Sequence, residues 1–288
     1  MVEFEDRTYR AADGTDLPMR VWRPETPARD ARPHPALVYL HGIQSHSAWY
    51  EASSRRLAAE AGAAVYQVER RGSGLDARHE RGHVERAEVW LEDVAAAAEV
   101  ARTETGRQRV HLMGVSWGGK LALAAAGRRP DLYRSLILAA PGIIPQVDVT
   151  AGQKVRIARC LAAGRPLERF PIPLQDPNLF TANPDRVRYI QDDPLGLRQV
   201  TARFLFESRR LDAMAKRAAR RVRLPTLLVL AGHDRIIENE ATRRLLARMP
   251  SDRLKIVLFP QAHHTLEFDP DPETYFGALV RWVRRAEG

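Results

Sequence analysis

The chain has 288 residues, 44% hydrophobic and 28% charged, an ordinary globular composition that can bury a sizeable core without staples. The single cysteine, Cys160, excludes an internal disulfide and fits a reducing compartment. The net charge of +9 does not indicate a nucleic-acid partner, because the arginines are spread along the chain among Glu and Asp and almost no aromatics alternate with them to stack bases.

In chain order, the N-terminal stretch mixes acids and bases without an apolar run, so it does not read as a secretory signal. No window approaches the ~18–20 apolar residues of a membrane span, and a cytoplasmic protein is expected. Residues Phe4 to Arg23 alternate around Asp13-Gly14-Thr15 and predict a β-hairpin. A Pro-rich connector runs from Pro24 to Pro35. Ala36–Leu40 and Ala64–Val68 are short continuous apolar runs, as strands buried on both faces require. Ala48–Ala61 between them has helical spacing. Trp90–Arg102 predicts a helix, Val110–Met113 a strand, Lys120–Ala126 a helix and Leu136–Ala140 a strand. This alternation implies an α/β fold with a mostly parallel central sheet flanked by helices.

The alternation stops at Pro141. Between Gly142 and Arg221 no strongly apolar strand is evident; amphipathic stretches at Val155–Ala163 and Leu197–Met214 flank a Pro-rich loop from Pro166 to Pro177. Residues 143–221 are therefore expected to form a helical cap, inserted between two parts of one core, 1–142 and 222–288. Strands return at Thr226–Leu230 and Leu254–Phe259, and a helix over Glu273–Arg285 closes the chain.

The strand ending at Met113 runs into Gly114-Val115-Ser116-Trp117-Gly118-Gly119, and a helix follows. This is G-x-S-x-G in the strand–turn–helix setting that presents a nucleophile. Small residues are needed two positions either side of the serine, and both are glycine. A serine hydroxyl needs a base. Asp234 and His264 each follow a predicted strand, in the order serine, acid, histidine. His264 would take the Ser116 proton and Asp234 would hold the imidazole. His264 is preferred to the adjacent His263 for its setting before Thr265-Leu266. Asp234 is preferred to Asp269, Glu238 and Glu240 for its place after a strand and Gly232. The first buried strand ends in His41-Gly42-Ile43, where the chain can turn over the nucleophile. The Ile43 and Trp117 backbone N–H groups are candidate oxyanion donors. His41, Gly42, Leu161, Phe204 and Phe206 are candidate substrate contacts, with core packing as the alternative for the three cap residues.

On these residues the chain resembles the α/β-hydrolase superfamily, specifically its monoacylglycerol lipase and lysophospholipase branch. The motifs are His41-Gly42-Ile43-Gln44-Ser45-His46-Ser47 with Tyr50, Arg71-Gly72-Ser73-Gly74, the Ser116 elbow, Asp193-Pro194-Leu195, Gly232-His233-Asp234 and His264-Thr265-Leu266. The resemblance implies a cap over the site, a narrow acyl tunnel and hydrolysis of small single-chain acyl esters without a cofactor. Trp117 departs from the Met usual there, and Gln146 to Pro177 matches nothing specific. Thioesterase, acyltransferase and carbon–carbon hydrolase chemistry, or a ligand receptor of this fold, are the competing readings. Transient contact of the cap with a membrane surface stays open, and the oligomeric state is not set.

Two further motifs carry less. His79-Glu80-Arg81-Gly82-His83 spells H-E-x-x-H, but Gly82 and the nearby Gly72 and Gly74 oppose the helix that zinc ligation would need, so no metal is expected. Gly114 to Lys120 resembles a phosphate loop but continues with Leu121, where Ser or Thr should hold magnesium.

Overall fold

A computed structural model describes residues 3–25, 33–251 and 253–287; much of the Pro24–Pro35 connector lies outside them. The N-terminal hairpin pairs β1 (Phe4–Arg10) with β2 (Asp16–Trp22), and its turn uses Gly14 at φ 81°. β3 (Ala36–Leu40), β4 (Ala64–Val68) and β5 (Val110–Val115) follow, every residue in them buried. β9 (Thr226–Ala231) is likewise buried throughout and β6 (Tyr133–Ala139) at all but Arg134, whereas β10 (Leu254–Phe259) is a half-exposed edge carrying Lys255. Burial on both faces explains why these strands read as unbroken apolar runs. Lysine on the edge discourages pairing with another chain.

The eight strands lie in the order β1-β2-β4-β3-β5-β6-β9-β10. β1 with β2 and β2 with β4 are antiparallel, and every other pair is parallel. The helices are α1 (Glu51–Ala61), α2 (Ala87–Thr105), α3 (Trp117–Arg128), α7 (Asn239–Leu246) and α8 (Glu273–Glu287). The chain moves outward from β3 to β4, then crosses back to β5 and continues to β6. Right-handed crossovers therefore put α1 on one face, with α8 packed on it, and α2 and α3 on the other. The reversal makes β3 and β5 neighbours at the switch point, where open α/β sheets place their clefts.

Between β6 and β9 stand α4 (Ala151–Ala162), α5 (Pro184–Asp192) and α6 (Ala202–Ala218). This segment also holds a small antiparallel sheet of β7 (Arg169–Pro171) and β8 (Gln199–Thr201). At three residues per strand it is too short to leave a periodic signal. α5 and α7 had no counterpart in the sequence reading, since both are short and strongly polar. α3 begins three residues earlier than its apolar run, because Trp117, Gly118 and Gly119 form its first turn.

Two buried polar contacts tie the inserted segment to the sheet. Asp193 accepts Trp49 Nε1–H at 2.7 Å and lies 3.0 Å from His46 Nε2. Lys120 of α3 donates to Asp212 of α6 at 2.6 Å and to Ser208 Oγ at 2.9 Å. Among the described residues no helix is long and apolar enough to cross a membrane.

Leu138 is fully buried in β6, between Gly114 of β5 and Leu228 of β9. Leu138→Ala should cost about 2–5 kcal/mol, read as a lower urea midpoint at an unchanged denaturant slope.

Candidate active site

Ser116 sits between β5 and α3 with φ 53° and ψ −123°, a left-handed backbone that a non-glycine residue holds only under constraint. The constraint is visible in its neighbours. A Cβ on Gly114 would lie 2.2 Å from the Gly118 carbonyl oxygen, and one on Gly118 would lie 2.4 Å from that of Leu40. Only bare backbone can pass so close, so the turn closes and projects the Ser116 side chain beyond the sheet.

His264 lies in the turn after β10, and its Nε2 is 2.8 Å from Ser116 Oγ. On its other side Nδ1–H donates to Asp234 Oδ2 at 2.9 Å. Asp234 follows β9, and its second oxygen accepts the backbone N–H groups of Ile236 at 2.8 Å and Ile237 at 3.0 Å. Both carboxylate oxygens are thus engaged and the side chain cannot swing away. All three residues are buried. The Thr265 N–H donates to Phe180 O at 2.9 Å, and the Phe180 ring packs edge-on to the imidazole, so the inserted segment also braces this turn.

The structure separates the alternatives. His263 faces the other way: its Nδ1 is 3.1 Å from Asp269, and its ring stacks on His233. Glu238 precedes α7, and Glu240 pairs with Arg243 on the surface. In the H-E-x-x-H stretch, His79 bonds Asp76 at 2.7 Å and His83 bonds Thr201 at 2.9 Å, in a loop where Gly82 has φ 67°. Among the described residues no three metal-ligating side chains cluster.

A cavity of about 470 Å³ opens over Ser116 beneath α4 and α6. Ile43 and Trp117 line it beside the serine, and Leu161 of α4 and Phe206 of α6 line it opposite. Phe204 does not line it. It is wholly buried behind, stacked on the Trp117 ring at 5.8 Å, so its expected substrate contact is replaced by packing. His41 also turns away. Its Nδ1 bonds Gly42 O at 2.8 Å and its Nε2 accepts the Arg70 N–H at 3.1 Å, so the ring shapes the loop and does not face the cavity. Gly42 lines a recess of about 10 Å³ on the other side of Ser116, bordered by His264, Ser45 and Tyr50 and roughly the size of one water.

Polar groups at the cavity wall escaped the sequence reading. Lys120, Ser208 and Asp212 form the bonded cluster described above, and Trp117 Nε1–H also donates to Ser208 Oγ at 2.9 Å. The signal was a lone lysine opening an otherwise Ala- and Leu-rich helix. Glu267, three residues after His264, is a second omission. It is buried, accepts the Ser53 N–H at 2.9 Å and has one oxygen without a partner. Burial pushes its carboxyl up to about 7.

The sequence matches the Hydrolase_4 family, described as serine aminopeptidase, S33, over residues 31–271. It is 24% identical over 282 residues to a monoacylglycerol lipase of Mycolicibacterium smegmatis, covering 96% of each chain. It is 26% identical over 278 residues to a monoglyceride lipase of Homo sapiens, covering 94% of this chain and 88% of that one. Among solved structures, a monoacylglycerol lipase from Paleococcus ferrophilus superposes with a TM-score of 0.78 at 25% identity, over 88% of this chain and 97% of that one. A monoglyceride lipase variant from Saccharomyces cerevisiae reaches 0.81 at 16% identity, over 99% and 95%, a likeness of fold alone.

Glu267 generates a stability test. The folded chain keeps this proton up to about pH 7, while the unfolded chain releases it near 4.5. Between those values the native state binds more protons, so this group's contribution is complete below 4.5 and is lost as pH rises through 7. Glu267→Gln should gain stability relative to the parent over that window, on the order of 1–3 kcal/mol. Urea melts of both proteins at pH 5 and pH 8 read the difference, and a constant offset would contradict it.

Proposed function

The chain belongs to the Hydrolase_4 family (serine aminopeptidase, S33), and from that premise we propose that it is a serine-dependent carboxylic ester hydrolase acting on single-chain acyl esters of the monoacylglycerol or lysophospholipid type. The observation that carries the reading is the unbroken chain from Ser116 Oγ through His264 to Asp234 at the floor of a largely apolar cavity. His264 accepts the hydroxyl proton as Ser116 Oγ attacks the ester carbonyl carbon. The resulting oxyanion faces the N–H groups of Ile43 and Trp117. Collapse of the tetrahedral species expels the alcohol, which takes its proton from His264, and leaves an acyl-Ser116. Water, deprotonated by His264, attacks that ester and releases the acid. Asp234 fixes the tautomer and stabilises the imidazolium at each step. No step calls for a cofactor.

An aminopeptidase must hold a substrate ammonium. The carboxylates on this cavity wall are already matched: Asp212 with Lys120 at 2.6 Å, and Asp148 with Lys154 at 2.7 Å. That pairing favours an uncharged acyl chain over an amino-acid residue.

The cap is also proposed to meet lipid surfaces. Residues 143–221 carry fifteen Lys and Arg against eight Asp and Glu, so most of the +9 net charge resides there, contrary to the even spread first read from the chain. Val155, Leu167 and Phe206 add exposed apolar side chains in the same segment.

Ser116→Ala should abolish turnover of a panel of p-nitrophenyl and glyceryl esters of graded chain length, leaving at most ~10³–10⁴-fold acceleration over water. Substantial residual activity in the variant, or a parent that neither turns over the panel nor reacts with a fluorophosphonate at Ser116, would overturn the assignment. Cosedimentation should show stronger binding to vesicles containing phosphatidylglycerol than to phosphatidylcholine alone, weakening as salt is raised.

A further inference from the structure

Arg70 is a buried cation that the mechanism above does not use. Its side chain is enclosed by the loop after β3 and the aromatic residues behind Ser116. Nη1–H donates to Gly42 O at 3.0 Å. Nη2–H donates to Ile43 O at 2.7 Å and to Ser73 Oγ at 2.9 Å. The guanidinium carbon lies 4.7 Å from the centre of the Trp117 ring and 5.6 Å from that of Phe204. The charge is thus spent on two carbonyls, a hydroxyl and two aromatic faces.

The two carbonyls flank one backbone N–H. Gly42 C=O and Ile43 N–H belong to the same peptide unit, which is planar and trans, so fixing the carbonyl fixes the direction of the N–H on its opposite side. Arg70 holds that carbonyl together with His41 Nδ1, 2.8 Å away on the same oxygen. A fork that also grips the next carbonyl resists rotation of the peptide more than a point charge can. A cation bonded to the carbonyl also draws electron density through the amide and strengthens its N–H as a donor. The same guanidinium stacks on the indole of Trp117, whose backbone N–H is the second candidate donor.

We propose that Arg70 is a positioning residue for the oxyanion site, orienting and polarising the Ile43 N–H while bracing Trp117. The inference rests on the ester-hydrolase reading. Its effect belongs to the transition state and the tetrahedral species it leads to, because negative charge builds on the carbonyl oxygen there and not in the bound ester.

The test compares the parent with Arg70→Met and Arg70→Lys, each titrated with a fluorophosphonate so that rates refer to competent sites. Full loss of an oxyanion donor costs about 10²–10³ in kcat, so a misdirected one should cost roughly 10- to 100-fold in Arg70→Met, with KM within about threefold. Arg70→Lys, which keeps the charge without the fork, should recover part of the loss. A trifluoromethyl ketone reports the site separately. Ser116 Oγ adds to its carbonyl carbon, the hydroxyl proton passes to His264, and the ketone oxygen becomes an alkoxide facing Ile43 and Trp117. Its Ki should rise by the factor that kcat/KM falls. A residue that only packs the loop would lower melting temperature and titratable yield while leaving kcat per titrated site and the ketone Ki unchanged, and that outcome overturns the proposal. If Arg70→Met does not fold, Arg70→Lys decides by the same criteria. A parent without ester turnover or labelling would instead defeat the hydrolase reading, an outcome distinct from an active parent with indifferent Arg70 variants.

Discussion

The close backbone crossing at the Ser116 elbow is the constraint on which the rest depends. Gly114, Gly118 and the carbonyls of Leu40 and His41 approach within distances that no side chain could share. That contact fixes β3 against the start of α3, and with them the two segments bearing Ile43 and Trp117. The positive φ of Ser116 is sustained by this packing and by the Ser116 N–H bond to Ala139 O at 2.9 Å and the Gly142 N–H bond to Ser116 O at 2.7 Å. The strain is thus held by three neighbouring strand ends, the buried centre of the sheet, and not by the loop alone.

The opposite wall adds polar bonds to a second close crossing. Asp234 follows the fully buried β9 and His264 follows the half-exposed edge strand β10, and a Cβ on Gly232 would lie 2.1 Å from the Pro260 carbonyl oxygen. Asp234 is gripped by two N–H groups of its own turn, and His264 by Asp234 and by the Phe180 contact. Close backbone contact therefore shapes both turns, and hydrogen bonds orient the Asp234 and His264 side chains within theirs.

How far the sequence discloses this architecture depends on the range of each interaction. The central strands were legible because full burial writes an unbroken apolar run, and the elbow because G-x-S-x-G stands between a strand and a helix. The candidate triad was legible as an order of residues after strands, though order alone could not separate His264 from His263. Their difference is which way each ring turns, and that is set by Asp269 and Phe180, neither of which periodicity connects to them. α5 and α7 went unseen because short polar helices draw their stability from caps and tertiary contacts. Phe204 was read as a substrate contact for being aromatic in the cap, but its partners Trp90 and Trp117 lie far away in sequence. The roles of Arg70 and Lys120 were invisible for the same reason: each looks like one more base in an Arg-rich chain until its distant partners are known.

Trp117 joins the two halves of the molecule. Its backbone belongs to the elbow, whereas its indole N–H is held by Ser208, a residue that Lys120 also binds before reaching Asp212. The inserted segment is therefore not a freely exchangeable module. A graft that replaced it from a relative with a different residue after the nucleophile would leave a buried ammonium and an indole N–H without acceptors. Because each of residues 117, 120, 208 and 212 bonds another of the four, a substitution at one strands a buried partner unless a second substitution compensates it.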